Sequence, residues 1–198
     1  MSRRRGWVSL AAVGLLTLTA CSGGGVEPAA GSLPASDVTI ASRILEPAER
    51  DVTPDLSGET LDGDQFDVAS LRGHVVAVNY WGSWCAPCRA ETPELVSLAT
   101  DSEPAGIRFV GVNIRDNRTA AQAFADEYQI PYPSLFDPDG STAFEFGPMA
   151  PRAAPSTYLL DADGRVAAFA YGRLTGRALQ AMINAVAETT PTPTGSAT

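Results

Sequence analysis

The part of the sequence that most constrains the fold is an apolar run, Val75–Trp81, followed after a short turn by the pair Cys85 and Cys88. A near-continuous apolar run of this length is typical of a β-strand that is covered on both faces. Residues 86–100 are predicted to form a helix, because apolar residues recur there at helical spacing. The chain is therefore expected to carry Cys85 in the turn that opens a helix, directly after a buried strand.

The position at a helix N-terminus gives this cysteine pair its predicted reactivity. Backbone N–H groups and the helix dipole stabilise an anion there, so the pKa of Cys85 should be lowered and its thiolate more abundant. Cys88 lies one turn further on, where it can attack a mixed disulfide and release the partner. Pro87 suits the first helical turn, where its missing N–H costs no hydrogen bond. The pair is therefore predicted to be a redox disulfide.

A purely structural role for the pair is the first alternative. A disulfide that closes so short a loop constrains the unfolded chain very little, so it would stabilise the fold poorly. A structural zinc site needs a full set of Cys and His ligands, but the chain has a single histidine, His74, and no second cysteine pair. The sequence favours redox chemistry and predicts no metal.

Around this centre the sequence alternates between strand-like and helix-like segments. Apolar runs bounded by turn residues predict strands, and the Asp163-Gly164 turn predicts a hairpin between two of them. The predicted elements are an N-terminal hairpin over residues 56–68, strands at 75–81, 107–114, 133–136, 157–160 and 166–171, and helices at 86–100, 119–128 and 175–188. This order indicates an α/β fold with a central mixed β-sheet, helices on its two sides and an N-terminal β-hairpin extension.

The two ends of the chain differ in composition from the predicted domain, which covers residues 51–189. Residues 1–20 combine three arginines with an apolar stretch shorter than the roughly 20 residues of a membrane span, which predicts a signal peptide. The sequence ending at Cys21 is similar to the bacterial lipobox and predicts a diacylglycerol lipid on that cysteine; an ordinary signal peptide is the alternative. Residues 21–50 are predicted to be a flexible tether and residues 190–198 a disordered tail, because both contain Pro- and Gly-rich polar sequence.

The charge balance limits the partners that this chain can have. Its formal net charge is -9, which argues against binding to nucleic acid and against a basic patch on anionic lipid. No flavin, nucleotide or haem motif is visible. The predicted redox group is the cysteine pair, with no other cofactor.

Residues 52–188 resemble the thioredoxin superfamily, and more closely its exported TlpA/ResA-like branch of thiol–disulfide oxidoreductases, with a domain of AhpC-TSA/redoxin type. The resemblance rests on residues 75–91 (VVAVNYWGSWCAPCRAE) and on residues 154–161 (APSTYLLD), which are similar to the cis-proline loop and the strand after it. It implies a thioredoxin-like fold in which Pro155 is cis and faces the cysteine pair. An extended client segment could then pair with the backbone at this loop. The client groove implied by the resemblance consists of Trp84, Ala86, Pro87 and Ala154.

Two positions separate the chain from thioredoxin itself. Thioredoxin has a buried aspartate six residues before its first active cysteine, where this chain has Asn79, which cannot take a proton. The ResA-like branch has a glutamate three residues after the second cysteine, which here is Glu91. The i, i+3 spacing puts Glu91 on the helix face of Cys88, where a partly buried carboxylate would relay a proton to or from that thiol. The alternative is that Glu91 faces water near the positive end of the helix.

The resemblance implies a lipid-anchored enzyme on the extracytoplasmic side of the cell membrane that reduces disulfides in client proteins with cysteine pairs. It also implies apocytochrome c as a client in cytochrome c maturation and a membrane electron donor of the CcdA/DsbD type. Three alternatives stay open: a DsbE-like disulfide oxidase, a thiol peroxidase, and an envelope lipoprotein with inert cysteines. The peroxidase is disfavoured, because Val78 and Gly82 stand where peroxiredoxins have Pro and Thr or Ser before the peroxidatic cysteine.

Overall fold

The computed structural model describes residues 41–190 of the chain. That part contains eight strands and three α-helices, with short 3-10 segments between some of them. The strands are β1 (Ala41–Ile44), β2 (Ser57–Glu59), β3 (Gln65–Asp67), β4 (Val75–Trp81), β5 (Ile107–Ile114), β6 (Ser134–Asp137), β7 (Ser156–Leu160) and β8 (Val166–Tyr171). The α-helices are α1 (Ala86–Ser102), α2 (Arg118–Tyr128) and α3 (Gly176–Glu188).

A mixed sheet forms the centre of the described part, with its six strands in the order β1-β8-β7-β4-β5-β6. The strand β4 pairs in parallel with β5 and antiparallel with β7, and all seven of its residues are buried. Because β4, β5 and β6 run parallel, their carboxyl ends meet at one edge of the sheet. The turn that carries the cysteine pair leaves β4 at that edge.

The two faces of this sheet are covered differently. Ala77 packs with residues of α1 and α3, and Trp81, on the same side of β4, stacks on Phe124 of α2. On the opposite face Tyr80 packs with apolar residues from the chain before β4 and from the 3-10 segment Ser141–Met149. The prediction of a central mixed sheet flanked by helices is confirmed. The three α-helices of the described part, however, share one face, and 3-10 segments help to cover the other.

Each α-helix of the described part begins after a residue whose side chain accepts a backbone hydrogen bond. For α1 this acceptor is Sγ of Cys85, while Asn117 caps α2 and Thr175 caps α3. Such side chains pair with N–H groups that the first helical turn leaves free. The helix after β4 therefore starts at the first active-site cysteine.

The N-terminal hairpin is formed by β2 and β3, as expected from the sequence. Thr60, directly after β2, forms a bridge with Leu135 of β6. From α2, the Arg118 guanidinium donates to the carbonyl oxygen of Thr60 at 2.7 Å, and the Gln122 amide donates to that of Leu61 at 2.8 Å. The hairpin is therefore attached to the edge of the main sheet and to α2.

Residues 41–50 differ from the sequence expectation, which assigned them to the tether. The strand β1 pairs with β8 at the edge of the main sheet. Further on, the buried Arg50 lies 3.5 Å from the Asp161 carboxylate and donates a hydrogen bond of 2.6 Å to the Thr189 hydroxyl. These contacts tie the segment to β7 and to the end of α3, so the domain starts before Arg50. The remaining tether, the leader with Cys21, and residues 191–198 lie outside the described residues.

Candidate active site

Cys85 and Cys88 form a disulfide at the N-terminus of α1, with their Cα atoms 5.3 Å apart. Sγ of Cys85 also accepts a hydrogen bond from the backbone N–H of Cys88 at 3.1 Å. Cys85 retains 3% of its accessible surface, whereas Cys88 retains none. An attacking thiolate from another protein can therefore reach Cys85 but not Cys88.

The surroundings of the two sulfurs predict different chemistry for each after reduction. The Cys85 thiolate would keep the N–H of Cys88 and would lie at the positive end of the α1 dipole, which lowers the pKa of a thiol. Cys88 lies inside the first turn and is fully buried, so its thiol has no direct contact with solvent. A proton that leaves Cys88 needs a nearby acceptor within the protein.

Glu91 provides a buried carboxylate one turn after Cys88 on α1. It is only 1% exposed, so the alternative in which it faces water is wrong. Oε1 accepts from the amide of Asn79 and Oε2 from the backbone N–H of Leu174, each at 3.0 Å. Burial raises the pKa of Glu91 to about 7, although these two hydrogen bonds and the charge of Arg173 oppose the rise. At neutral pH such a group can both accept and donate a proton.

Asn79 connects this carboxylate to the centre of the sheet. It lies on β4 and is almost fully buried. Its amide nitrogen donates to Glu91 and also to the Thr157 hydroxyl on β7, at 3.1 Å. The asparagine therefore holds the Glu91 carboxylate in one orientation without adding a second titratable group.

The loop before β7 carries Ala154 and Pro155, and the peptide bond between them is cis, as the resemblance implied. Ala154 packs against the apolar cluster that contains Cys85 and Cys88. The carbonyl oxygen of Pro155 accepts from the N–H of Gly172 at 2.9 Å. The loop is thus held beside the disulfide by the chain that follows β8.

Trp84 and the residues between the cysteines form the outer surface of the site. Trp84 is 56% exposed, and Ala86 and Pro87 are exposed as well. A Cβ atom on residue 82 would lie 2.5 Å from Nε1 of Trp84, so Gly82 is needed for the indole to fold back over the turn. The exposed surface next to the disulfide is therefore largely apolar.

The turn between β4 and α1 is braced by a carboxylate from the end of β5. Oδ2 of Asp116 accepts from the backbone N–H of Ser83 at 2.6 Å and from the Asn113 amide at 3.0 Å. Its Oδ1 accepts from the Ser83 hydroxyl at 2.8 Å and from the N–H of Asn117 at 2.8 Å. Burial alone would raise the pKa of Asp116, but these hydrogen bonds outweigh it and lower the pKa. The charged form of Asp116 is thus the form that holds the turn.

The comparison with known proteins agrees with this geometry. A family model described as the AhpC/TSA family matches residues 50–169, which is more than half of the chain. The chain belongs to the AhpC/TSA family.

Relatives of this AhpC/TSA member are named for thiol–disulfide chemistry. The chain is 29% identical over 143 residues to the thiol-disulfide oxidoreductase ResA of Oceanobacillus iheyensis, covering 69% of this chain and 72% of that protein. It is 38% identical over 122 residues to the thiol:disulfide interchange protein DsbE of Allochromatium vinosum, covering 60% and 61%. Among solved structures, a DsbF homologue from Corynebacterium diphtheriae matches with a TM-score of 0.69 and 32% identity, over 73% of this chain and 92% of that one.

Together with the bonded cysteine pair, these relatives show that the chain is a thiol–disulfide oxidoreductase of the ResA/DsbE type with a thioredoxin-like fold. The predicted resemblance to the ResA-like branch is therefore confirmed. The structure brings Cys85, Cys88 and Glu91 together on α1 and places Ala154 against the cysteine cluster. The catalytic roles of Glu91 and Pro155 stay predictions.

Several groups that complete the site in this AhpC/TSA member are not apparent from the sequence. The N–H of Leu174 is a backbone donor, and nothing in the sequence marks which backbone group will face Glu91. Asp116 had a weak signal: it lies two residues after a buried strand, and an acid there lies at the end of the sheet that carries the cysteine pair. Among residues 41–190, no group of His, Cys, Asp and Glu side chains is arranged to hold a metal ion.

Proposed function

We propose that this protein is a lipid-anchored, extracytoplasmic reductase that transfers two electrons to disulfides of client proteins, including apocytochrome c during cytochrome c maturation. The observation that carries the proposal is the asymmetry of the cysteine pair. Cys85 lies at the α1 N-terminus with slight exposure, and Cys88 is fully buried with Glu91 one turn behind it. Such an arrangement suits a nucleophile that meets clients and a second thiol that resolves the mixed disulfide.

The proposed reaction starts from the reduced protein. The Cys85 thiolate attacks one sulfur of the client disulfide, so that a mixed disulfide forms and the other client sulfur leaves as a thiolate. Glu91 takes the proton of Cys88, and the Cys88 thiolate attacks Sγ of Cys85. This step releases the second client thiolate and forms the Cys85–Cys88 disulfide. The client gains two electrons, and a membrane dithiol donor of the CcdA/DsbD type then returns the protein to its reduced form.

The direction of transfer is tested by the reduction potential of the pair. The purified protein is equilibrated with glutathione buffers, and its free thiols are counted by alkylation and mass spectrometry. A potential at or below that of the glutathione couple, about -240 mV, supports a reductase. A value near about -120 mV, typical of strongly oxidising members of this fold, would overturn the direction and favour the DsbE-like oxidase.

Turnover assays separate the proposal from the remaining alternatives. The reduced protein is mixed with insulin or with an oxidised CxxCH peptide, which represents the haem-attachment sequence of apocytochrome c, and with hydrogen peroxide in a parallel reaction. Rapid disulfide reduction that is lost in Cys85→Ser supports the proposal. Faster turnover of peroxide than of disulfides would instead indicate a thiol peroxidase. A Cys85 that stays unreactive toward iodoacetamide at neutral pH would indicate inert cysteines.

The resolving cysteine offers a way to identify the partners. Cys88→Ser keeps the nucleophile but cannot release a mixed disulfide, so it should accumulate covalent complexes in cells. Cys85→Ser, with Cys88 buried, is the matched control and should accumulate none. Recovery of apocytochrome c and of a membrane protein with a cysteine pair supports the proposed client and electron donor. Recovery of neither would refute this assignment of partners.

The proposed anchor is a diacylglycerol lipid on Cys21. No helix within the described residues is long and apolar enough to cross a membrane. Labelling with a radioactive fatty acid tests the anchor, with Cys21→Ala as the control. The wild type is expected to take up label and to sediment with membranes, whereas Cys21→Ala is expected to do neither. Equal sedimentation of both proteins without label would refute the lipid anchor.

A further inference from the structure

The chain between β8 and α3 is held against α1 by two carboxylates that lie one helical turn apart. Glu91 accepts from the N–H of Leu174 at 3.0 Å, and Glu94 accepts from the N–H of Gly176. The guanidinium of Arg173 lies 3.3 Å from the other oxygen of Glu94. Arg173, Leu174 and Gly176 therefore each contact α1, and only the contact of Leu174 involves the buried Glu91.

The contacts of Glu94 lie on both sides of the backbone N–H that donates to Glu91. Leu174 is 1% exposed and its side chain packs in the core between the sheet and α3. Its N–H points at Glu91 only while the loop on either side of it stays close to α1. Glu94 contacts both sides of that loop, through Arg173 before Leu174 and through Gly176 after it. Glu94 itself is about half exposed and lies outside the core.

We propose that Glu94 is a positioning residue of the exchange reaction, which together with Arg173 holds the N–H of Leu174 on the Glu91 carboxylate. The inference rests on the proposed function, in which Glu91 takes the proton of Cys88. Glu94 does not touch the cysteines in this role; it acts only through the loop. The same loop begins at Gly172, whose N–H donates to the Pro155 carbonyl oxygen at 2.9 Å, so its position also affects the cis-proline segment.

A direct charge effect of Glu94 predicts the opposite result, which makes the proposal testable. The charged or titratable groups around Glu91 are Glu94 on α1, Arg173 in the loop after β8 and Tyr132 before β6. The negative charge of Glu94 raises the pKa of Glu91, so removal of that charge alone would lower it. Loss of the Leu174 N–H would raise it, because a hydrogen bond to the carboxylate favours the charged form.

Two variants separate position from charge, because both remove the same charge. Glu94→Gln keeps an oxygen that can accept from the N–H of Gly176, whereas Glu94→Ala leaves that N–H without a side-chain acceptor. The Glu91 carboxyl carbon is titrated by ¹³C NMR in the oxidised protein, where the cysteines do not ionise and no turnover is needed. The midpoint in Glu94→Ala is expected to be about one pKa unit higher than in Glu94→Gln, the effect of one lost hydrogen bond to a charged group. Equal midpoints, or a lower midpoint in Glu94→Ala, would overturn the proposal.

A control variant and a second readout exclude a general disturbance of the helix. Asp101→Ala removes an exposed carboxylate from the last turns of α1 and is expected to leave the Glu91 midpoint unchanged. Amide hydrogen exchange at Leu174 is expected to be faster in Glu94→Ala than in Glu94→Gln, and an unchanged rate would contradict a loop role.

The activity profile distinguishes failure of this inference from failure of the proposed function. If both hold, the pH profile of disulfide reduction moves in Glu94→Ala in the same direction as the NMR midpoint. If the Glu91 midpoint is raised in Glu94→Ala but the pH profile of disulfide reduction is unchanged, the positioning role of Glu94 is supported. The role of Glu91 as the proton acceptor is then refuted.

Discussion

The buried carboxylate of Glu91 predicts a pH-dependent loss of stability that can be calculated from the structure. Burial raises its pKa from 4.5 to about 7 in the folded protein, and unfolding returns the group to water. The difference of about 2.5 pKa units, at about 1.4 kcal/mol per unit, corresponds to about 3.5 kcal/mol of unfolding free energy. We expect Glu91→Gln, which stays neutral at every pH, to lack this term.

The sign follows from the proton count of the two states. Between the two pKa values the folded protein binds more protons at Glu91 than the unfolded chain, so stability decreases as the pH rises. The favourable contribution is fully present below pH 4.5 and is lost as the pH rises through about 7. The free energy of unfolding of wild type should therefore decrease relative to that of Glu91→Gln as the pH rises from 4.5 to about 7.

Urea denaturation of the oxidised proteins at a series of pH values measures the effect. The intact disulfide keeps the cysteines from titrating, and all other groups cancel in the difference between wild type and variant. Asp101→Asn, which changes an exposed carboxylate on the same helix, controls for the loss of a surface charge. If the glutamine forms poorer hydrogen bonds than Glu91, the difference in unfolding free energy changes by the same amount at all pH values.

The raised pKa of Glu91 is refuted if the difference in unfolding free energy between wild type and Glu91→Gln stays constant within about 0.5 kcal/mol between pH 4.5 and about 8. Such a result would mean that Glu91 titrates as an exposed acid does. It would also refute the proton transfer from Cys88 to Glu91 that the proposed function requires.

Three further predictions concern the stability of the fold and the turn that carries the cysteine pair. Asp161→Ala should lower the free energy of unfolding by about 3–5 kcal/mol in urea titrations, because it leaves the buried Arg50 guanidinium without its charged partner; a loss below about 1 kcal/mol would contradict the burial of this pair. Gly82→Ala should push the Trp84 indole outward and increase quenching of its fluorescence by acrylamide, so unchanged quenching would count against the packing seen here. The hydrogen bonds that lower the pKa of Asp116 stabilise the folded protein at pH values above 3.8, the ordinary pKa of this group. The difference in unfolding free energy between wild type and Asp116→Asn, measured in urea, should therefore shrink as the pH falls below about 4. A difference that stays constant over this range would contradict the lowered pKa.

The centre of the fold was predictable because its signals are strong and local. The strand Val75–Trp81 has the same bounds in the sequence prediction and in the structure. A short apolar run with a turn on each side, one at Gly73 and one before Cys85, is typical of a buried strand. The strand β1 was missed for the opposite reason. Its four residues alternate between exposed and half-buried positions and include Ser42 and Arg43. Such an edge strand is defined by its pairing with β8, which no local pattern reveals.

The 3-10 segment Ser141–Met149 was also missed, although it covers part of the sheet. Its Gly147 and Pro148 look like loop residues in the sequence, yet Phe146 is fully buried against Tyr80 and Tyr158. The hydroxyl groups of Tyr158 and Tyr171 both donate to the Met149 carbonyl oxygen. Long-range packing of this kind decides the conformation, so propensity alone could not predict it.

The two cysteines differ in their surroundings: Cys85 has backbone N–H groups beside it, whereas Cys88 has a buried carboxylate one helical turn away. Cys85 needs a stabilised anion at a place that clients can reach, and the start of a helix provides backbone N–H groups there without any special side chain. In the proposed reaction Cys88 loses its proton where it is fully buried, and a carboxylate whose pKa is raised toward neutral is well suited to accept it. Burial creates that pKa at Glu91, and the donors from Asn79 and Leu174 keep it from rising further. A motif of two cysteines can therefore be recognised from sequence, but its proton chemistry depends on a strand and a loop that are distant in sequence and meet only in the folded protein.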